Sequence, residues 1–529
     1  MLPTEFDAQA QRRTIDALHA KLQAMHPDQE VVLHETHISF VLVTAGFAYK
    51  FKKALKNDFL DFTTLALRRH FCNEELRLNR RLAPELYLDV VAVTGPPHDP
   101  ALEGSGPPID CAVRMRAFDQ AGLWDRRAAQ GLLGPAQIDA LVAQLVAFHS
   151  RIAVAGAPGA DDPTRNFGGP AQVRRPMLDN LGALPALLPG EEEHDVIESL
   201  SRWEAATYTA LEPVFAERQR GGWVRECHGD LHLGNVAEIE GRTTVFDGIE
   251  FNDEFRWIDV MSEIAFMAMD LHAHGRSDLA HRFVNGCVEA SGDYEGLRVL
   301  RYYEVHRALV RAKVAAIRAG QTGHAADRAQ ARHFLALAAA LSRRGQPALL
   351  ITHGHSGSGK TTLSQGLLET LGAVRVRADL ERKRMFGLKP LQRGKAVYGA
   401  DATAATYARL GEAAQAVLDA GLPVVLDATF LRRQHRDMAR GWAAARGLPF
   451  VLLDFELDPA TLRERVSARA ARNDDASDAD IAVLERQLQT ADSLGSDERA
   501  GVFSCHATEA DGQFDWTPLL ERLRGPRLP

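Results

Sequence analysis

The sequence GHSGSGKT, residues 354–361, constrains the fold of this chain more than any other segment. It has the pattern GxxxxGK[ST], with the strand-like run ALLITH before it and an apolar-periodic helix after it. In that context the backbone N–H groups of the loop surround a phosphate, and the helix N-terminus adds a favourable dipole. Lys360 is then expected to reach the β and γ oxygens of ATP, and Thr361 to ligate Mg²⁺. The predicted nucleotide-binding residues are Gly354, His355, Ser356, Gly357, Ser358, Gly359, Lys360, Thr361 and Thr362.

Strands and helices alternate after this loop, which predicts a parallel sheet. Asp379 follows the strand-like run AVRVR, and Asp427 follows PVVL. Because parallel α/β sheets place ligand-contacting groups at the carboxyl ends of their strands, both carboxylates are candidates for the site. Asp427 suits Mg²⁺, and Asp379 suits orienting or deprotonating an attacking hydroxyl. The alternative for each is helix capping.

Three arginines, Arg465, Arg469 and Arg472, have the spacing i, i+4 and i+7 in a helical stretch. They would project from one helix face, where one or two could clamp a transferring phosphate. We take Arg469 as the candidate, although the sequence does not select among the three. The alternative is a solvated basic face that pairs with the nearby Glu464, Asp474 and Asp475.

The segments GHSGSGKTT, RADLERKRMFG, VVLDATF and RERVSARAARNDDASDADI together resemble the small P-loop kinases similar to polynucleotide kinase and gluconate kinase. The resemblance covers about residues 347–500. It implies that Asp379 contacts the acceptor hydroxyl and that one of the three arginines contacts phosphate. It does not identify the acceptor, and a polynucleotide end stays open for this domain.

A second constellation begins at HGDLHLGN, residues 228–235. Asp230 and Asn235 are five residues apart, and Asp247 ends the strand-like TTVF twelve residues later. This is the spacing of kinase-type sites, in which a loop aspartate handles the acceptor hydroxyl while an asparagine and a second aspartate hold Mg²⁺. We predict those roles for Asp230, Asn235 and Asp247. The alternative is a polar turn with a chance match.

Such a site also needs a strand lysine and a helix glutamate. The run FAYKFKK places Lys50 and Lys52 on one strand face, because side chains alternate. Glu75 shares a helical stripe with apolar residues, so it points inward, where an unpaired carboxylate would be costly. Lys50 is the preferred partner and Lys52 stays open. The alternative is a set of surface charges.

These residues, with AVRMRAF as a candidate hinge strand, resemble the aminoglycoside phosphotransferase and choline kinase group over about residues 30–320. The resemblance implies Asp230 as the catalytic aspartate, Asn235 and Asp247 as Mg²⁺ ligands, and Lys50 with Glu75 as the phosphate-positioning pair. Two features depart from protein kinases: no GxGxxG precedes the lysine strand, and DGIEF replaces DFG.

Composition sets the remaining expectations. A chain of 529 residues is too long for one core, and the polar segment RRGQP at 343–347 predicts domains at 1–343 and 347–529. The net charge of -8 and the absence of a long basic tract argue against a nucleic-acid coat. Five widely spaced cysteines, no apolar N-terminal region and no long apolar run predict a soluble, cytoplasmic protein without a membrane span. Nothing in the sequence indicates the oligomeric state.

The combined prediction is an α+β bilobal protein-kinase-like domain followed by an α/β P-loop domain. Each domain is expected to use ATP and Mg²⁺ to phosphorylate a hydroxyl of a small molecule, which makes the chain a bifunctional kinase. The alternative is an ATP-binding regulatory protein, or a slow ATPase, in which one domain senses nucleotide without transferring phosphate.

Overall fold

The chain divides into two compact units. The first comprises Met1–Arg175 with Phe215–Asp270, and the second Pro176–Val214 with Leu271–Pro529. The computed structural model describes residues 8–57, 60–156, 163–392, 399–472, 476–505 and 514–524, without the side chains of 400, 470–472 and 524.

The first unit begins with an antiparallel sheet between two helices. Its elements are α1 Ala8–Met25, β1 Val32–Glu35, β2 Ser39–Val43, β3 Phe47–Lys52, α2 Leu65–Asn79, β4 Tyr87–Thr94, β5 Ala101–Leu102 and β6 Pro108–Arg116. The strand order is β1-β2-β3-β6-β4-β5. Helix α1, which the sequence analysis did not predict, packs on the face that carries Phe40, Phe51 and Ala112, and α2 packs on the face with Cys111 and Val113. Strand alternation therefore sends the lysines of β3 toward α2.

The rest of this unit is mainly helical, with short strands that present the HGDLHLGN segment. The elements that follow β6 along the chain are α3 Trp124–Ala129, α4 Pro135–His149, α5 Pro170–Leu187, α6 Glu191–Arg220, β7 Val224–Glu226, β8 Val236–Ile239, β9 Arg242–Val245, α7 Asp253–Arg256, β10 Trp257–Asp259 and α8 Val260–Ala273. Most of α5 and α6 belongs to the second unit. Strand β7 pairs with β10, and β8 pairs with β9 as a hairpin. Helices α5, α6 and α8 each carry the chain from one unit into the other.

The second unit contains a helical part and the predicted parallel sheet. The helices are α9 Ser277–Ser291, α10 Leu297–Thr322 and α11 Ala325–Leu341. They are followed by β11 Leu349–His353, α12 Lys360–Leu371, β12 Val374–Arg377, α13 Ala378–Met385, α14 Ala400–Asp419, β13 Val424–Asp427, α15 Arg433–Ala444, β14 Phe450–Asp454, α16 Pro459–Arg472, α17 Ile481–Thr490, β15 Val502–Ser504 and α18 Thr517–Arg524.

The sheet of the second unit has the order β12-β13-β11-β14-β15, and all of its pairs are parallel. Its core joins Leu350 of β11, Leu367 and Leu368 of α12, and Leu453 of β14. Burial on both faces explains why these strands are continuous apolar runs rather than alternating ones. The predicted fold class, α+β followed by parallel α/β, is confirmed.

Candidate active sites

The GHSGSGKT segment forms the turn between β11 and α12. Gly357 has a φ of +88°, and a Cβ there would come within 3.0 Å of Val466, so a larger residue would not fit without a shift. The ammonium of Lys360 donates to the carbonyls of Gly354 at 2.9 Å and His355 at 2.8 Å. The lysine is thus folded over its own loop, at the point where a phosphate would enter.

The candidate Mg²⁺ ligands of this loop lie side by side. The hydroxyl of Thr361 donates to Asp427 over 2.6 Å, and Asp427 ends β13 beside Arg377, its register partner at the end of β12. A hydroxyl and a carboxylate oxygen are the hard donors that Mg²⁺ prefers, so this pair fits that ion.

Asp379 lies in the first turn of α13 and lines the same cleft as the loop. The N-cap position of α13 belongs to Arg377, so Asp379 does not take the capping role that was its alternative. Its carboxylate accepts a hydrogen bond from Arg382 over 3.2 Å. It is therefore held at the strand ends, where an acceptor hydroxyl could reach it.

Two of the three predicted arginines, Arg465 and Arg469, line this cleft, whose volume is about 830 Å³. Arg469 also donates to the carbonyl of Ala479 over 3.0 Å. Burial, together with the nearby charge of Arg469, lowers the pKa of Lys360 to about 8 against the opposing charges of Asp427 and Asp379. The side chain of Arg472 lies outside the described residues, and so do Asp474 and Asp475, two of the acidic residues proposed to pair with these arginines.

Sequence analysis missed several residues of this cleft. Arg377 and Arg382 line it together with Tyr407 and His435, whose rings stack with centroids 3.7 Å apart. Gln487 of α17 accepts from a backbone N–H of the loop over 2.9 Å. Arg377 could have been found as a strand-end charge beside Asp427, whereas no local pattern indicates Gln487.

The structure brings both candidate lysines of the first unit to one glutamate. Lys50 donates to Glu75 over 2.8 Å and also forms an ion pair with Asp247. Lys52 forms ion pairs with Glu75 and with Glu250, a residue that the sequence analysis did not select. We call these two lysines with Glu75 and Glu250 the buried quartet.

The opposite charges of the buried quartet attract one another and shift the pKa values of its members. Burial alone would lower the pKa of Lys50, but the carboxylates of Asp247 and Glu75 outweigh it and raise that pKa well above its usual value. For Glu75, burial would raise the pKa, but Lys50 and Lys52 lower it to about 2. Burial raises the pKa of Glu250 against the opposing charge of Lys52. Glu75 is therefore charged at neutral pH although its side chain is fully buried.

Asp247 is held in an uncommon backbone conformation. Its φ is +64°, which non-glycine residues rarely adopt and which concentrates at functional sites. Its N–H donates to the hydroxyl of Tyr87 over 3.0 Å, and the next N–H, of Gly248, donates to Asn79 over 2.7 Å. These bonds turn its carboxylate toward Lys50.

Asp230 and Asn235 meet at the other side of this site. The amide nitrogen of Asn235 donates to the carbonyl of Asp230 at 2.9 Å and to its carboxylate at 3.0 Å. The amide oxygen is thereby left as the ligand atom, so Asn235 and Asp247 together offer the oxygen donors that Mg²⁺ takes. Gly229, just before Asp230, has a φ of +87°, and a Cβ there would lie 2.6 Å from the carbonyl of Phe255.

A buried cluster holds the turn formed by residues 228–230. Both carboxylate oxygens of Glu263 accept from the N–H of His228, at 3.1 and 2.9 Å, and His149 lies 3.6 Å from the same carboxylate. The ligand atoms of His149, Cys227 and Glu263 lie within 4.8 Å of one another. Because Glu263 is already engaged by the backbone of the turn, this cluster is better explained as support for Asp230 than as a metal site.

Comparison with known proteins places the chain in a family. The "Uncharacterized protein Rv2004c" of Mycobacterium tuberculosis and the "Uncharacterized protein Mb2027c" of Mycobacterium bovis are each 30% identical to it over 450 residues, 84% of this chain and 87% of the relative. The chain belongs to the Rv2004c family. An AAA domain model matches residues 349–494 of this Rv2004c family member, which confirms the P-loop domain.

Solved structures similar to this member of the Rv2004c family include kinases. A choline/ethanolamine kinase family protein from Mesorhizobium loti is 14% identical, covering 62% of this chain and 94% of its own, with a TM-score of 0.39. A gluconokinase from Sinorhizobium meliloti is 23% identical, covering 32% and 86%, with a TM-score of 0.23. In the part of the chain that the structure describes, no helix is long and apolar enough to cross a membrane.

Proposed function

We propose that this chain is an ATP-dependent phosphotransferase with two active sites, each of which moves the γ-phosphoryl group of ATP to a hydroxyl of a small molecule. The observation that carries the proposal is the presence of two separate sets of groups. Each set combines a lysine, a pair of oxygen ligands suited to Mg²⁺ and an aspartate. Those are the parts that phosphoryl transfer requires.

In the first unit, Lys50 would bind the nucleotide phosphates while Glu75 orients it. Asn235 and Asp247 would hold Mg²⁺, which when bound neutralises phosphate charge. Asp230 would accept or orient the proton of the acceptor hydroxyl. Lys52 is fully buried, so its role is to fix Glu75 and Glu250 rather than to touch phosphate.

In the second unit, the backbone of residues 354–361 and Lys360 would bind the phosphates, and Thr361 with Asp427 would hold Mg²⁺. Asp379 would orient the acceptor hydroxyl, and Arg465 or Arg469 would neutralise charge on the moving phosphoryl group. The rate enhancement would come from positioning and from charge neutralisation of the transferring phosphoryl group.

The test is phosphorylation of an acceptor panel by the full chain with ATP and Mg²⁺. The panel contains sugars, amino alcohols, aminoglycosides and an oligonucleotide with a free 5′-hydroxyl. Asp230→Asn is expected to abolish one activity and Lys360→Met another, while the exposed substitutions Asp139→Asn and Lys389→Met serve as matched controls. If ATP is consumed at the same slow rate with every acceptor, the chain is the nucleotide-sensing alternative instead.

A further inference from the structure

Helix α9 precedes the predicted P-loop domain in the chain, yet it packs against that domain's phosphate-loop helix. At one end of α9, the ring of His281 donates to the carbonyl of Glu369 over 2.8 Å, and Arg282 pairs with the Glu369 carboxylate over 2.6 Å. Glu369 lies in the last turns of α12, the helix that begins with Lys360. Helix α9 therefore belongs to the physical surroundings of the phosphate loop.

The other end of α9 holds strand β12. Asn285 accepts the backbone N–H of Arg375 over 2.7 Å, and Glu289 accepts from the guanidinium of Arg375 over 3.1 Å. The second carboxylate oxygen of Glu289 lies 3.6 Å from Arg377. One glutamate is thus shared by two arginines of the same strand.

These two arginines lead to the two candidate Mg²⁺ ligands. Arg375 donates to the carbonyl of Thr361 over 2.9 Å, and Arg377 lies 4.0 Å from Asp427, which accepts from the Thr361 hydroxyl. These contacts form a closed ring, which we call the Glu289 ring. It consists of Glu289, Arg375, Thr361, Asp427 and Arg377. The side chains of Glu289 and both arginines are at least four-fifths buried, so their charges are weakly screened by solvent.

We propose that Glu289 is a positioning residue of the P-loop site, which keeps Thr361 and Asp427 available to Mg²⁺ by holding and neutralising Arg375 and Arg377. Without Glu289, Arg377 still has the Asp427 carboxylate 4.0 Å away, and its guanidinium would compete with the metal for that carboxylate. Loss of the anchor on Arg375 would also loosen the carbonyl of Thr361. The inference rests on the proposed function only in requiring that this loop binds ATP with Mg²⁺.

The experiment measures ATP binding to the full chain by equilibrium dialysis, in EDTA and across a Mg²⁺ titration. The signal that persists in Lys360→Met is subtracted, because it arises outside the phosphate loop. Removal of groups that support metal ligands typically costs 10- to 100-fold in metal affinity. Glu289→Ala is therefore expected to raise the Mg²⁺ concentration for half-maximal binding by about that factor, with little change in EDTA.

Two further variants separate this role from general support of the fold. Glu289→Ala combined with Arg377→Gln removes the competing guanidinium and is expected to restore most of the Mg²⁺ response. Glu289→Gln keeps an acceptor for Arg375 and is expected to give an intermediate shift. Glu295→Ala, an exposed glutamate that pairs with Arg298, is the matched control and should behave as the parent chain.

The proposal is overturned if Glu289→Ala weakens binding equally with and without Mg²⁺, or if the double variant is no better than the single one. A parent chain without Mg²⁺-dependent ATP binding would refute this inference and the proposed function together. Absence of phosphorylation of every acceptor, with the Mg²⁺ shift intact, would refute the proposed function alone and support the role of Glu289.

Discussion

Replacement of Lys52 by methionine tests the buried quartet most directly. The side chains of Lys52 and Glu75 are both fully buried, and that of Glu250 is 4% exposed. Methionine fills a similar volume without charge, so Glu250 loses its ion partner and Glu75 keeps only Lys50 of its pair. Breaking a buried ion pair from one side costs about 3–5 kcal/mol. That is a large share of the roughly 5–15 kcal/mol by which domains are stable.

The assay is thermal and urea unfolding of the full chain. For a unit of this size, each kcal/mol lost from the free energy of unfolding lowers Tm by about 2–4 °C. Lys52→Met should therefore lower the Tm of the first unit by roughly 6–20 °C. Lys56→Met, whose side chain is 69% exposed, is the matched control and should leave that Tm nearly unchanged, because water screens its ion pair with Asp61. Adding Glu250→Gln to Lys52→Met should recover part of the loss, because one uncompensated carboxylate disappears.

A different outcome would refute this reasoning. If Lys52→Met unfolds like Lys56→Met but abolishes phosphate transfer, Lys52 contacts nucleotide and the assignment of Lys50 is wrong. If Lys50→Met and Lys52→Met lose equal stability and equal activity, the two lysines act as one group. The expected result is that Lys52→Met causes the larger loss of stability and Lys50→Met the larger loss of activity.

The remaining predictions concern pH and the acceptor carboxylate. Burial raises the pKa of Glu304 from 4.5 to about 8, so stability falls as pH rises between those values, and Glu304→Gln should remove that fall in urea unfolding. Glu75 has the opposite sign: despite burial, Lys50 and Lys52 lower its pKa from 4.5 to about 2, so its stabilising contribution is present above pH 4.5 and is lost toward pH 2. Glu75→Gln should therefore flatten the acid limb of the stability profile. Asp379→Asn should reduce acceptor phosphorylation by the P-loop site by about 10²- to 10⁴-fold without a comparable loss of ATP affinity in calorimetry, and a parallel loss of both would contradict its role.

The P-loop could be predicted from sequence because its signal is local. A strand, a turn and a helix adjoin one another, and the turn needs glycines such as Gly357 for its backbone and Lys360 for phosphate. The parallel sheet followed from apolar runs that are buried on both faces. The same reasoning found Asp379 and Asp427 at strand ends, because the strand ends of a parallel sheet meet at one edge.

The choice between Lys50 and Lys52 could not be made in the same way. Alternation along β3 places both on one face, and Glu75 contacts both because a carboxylate has two oxygens. What distinguishes them is the second partner of each lysine, Asp247 for Lys50 and Glu250 for Lys52, nearly 200 residues further along the chain. The periodicity of a strand or helix in the sequence cannot predict a contact between residues so far apart in the chain.

The Glu289 ring extends this argument to domain organisation. The boundary at residues 343–347 was predicted from a polar segment, and it falls inside the second compact unit. A polar segment indicates where the chain can be exposed to solvent. The residues that maintain a site can lie on both sides of such a segment in the sequence. Arg375 lies after the predicted boundary and Glu289 well before it, and the two buried charges form an ion pair over 3.1 Å. If that pair sets the Mg²⁺ requirement of the phosphate loop, the functional unit of the P-loop site begins at α9 rather than at β11.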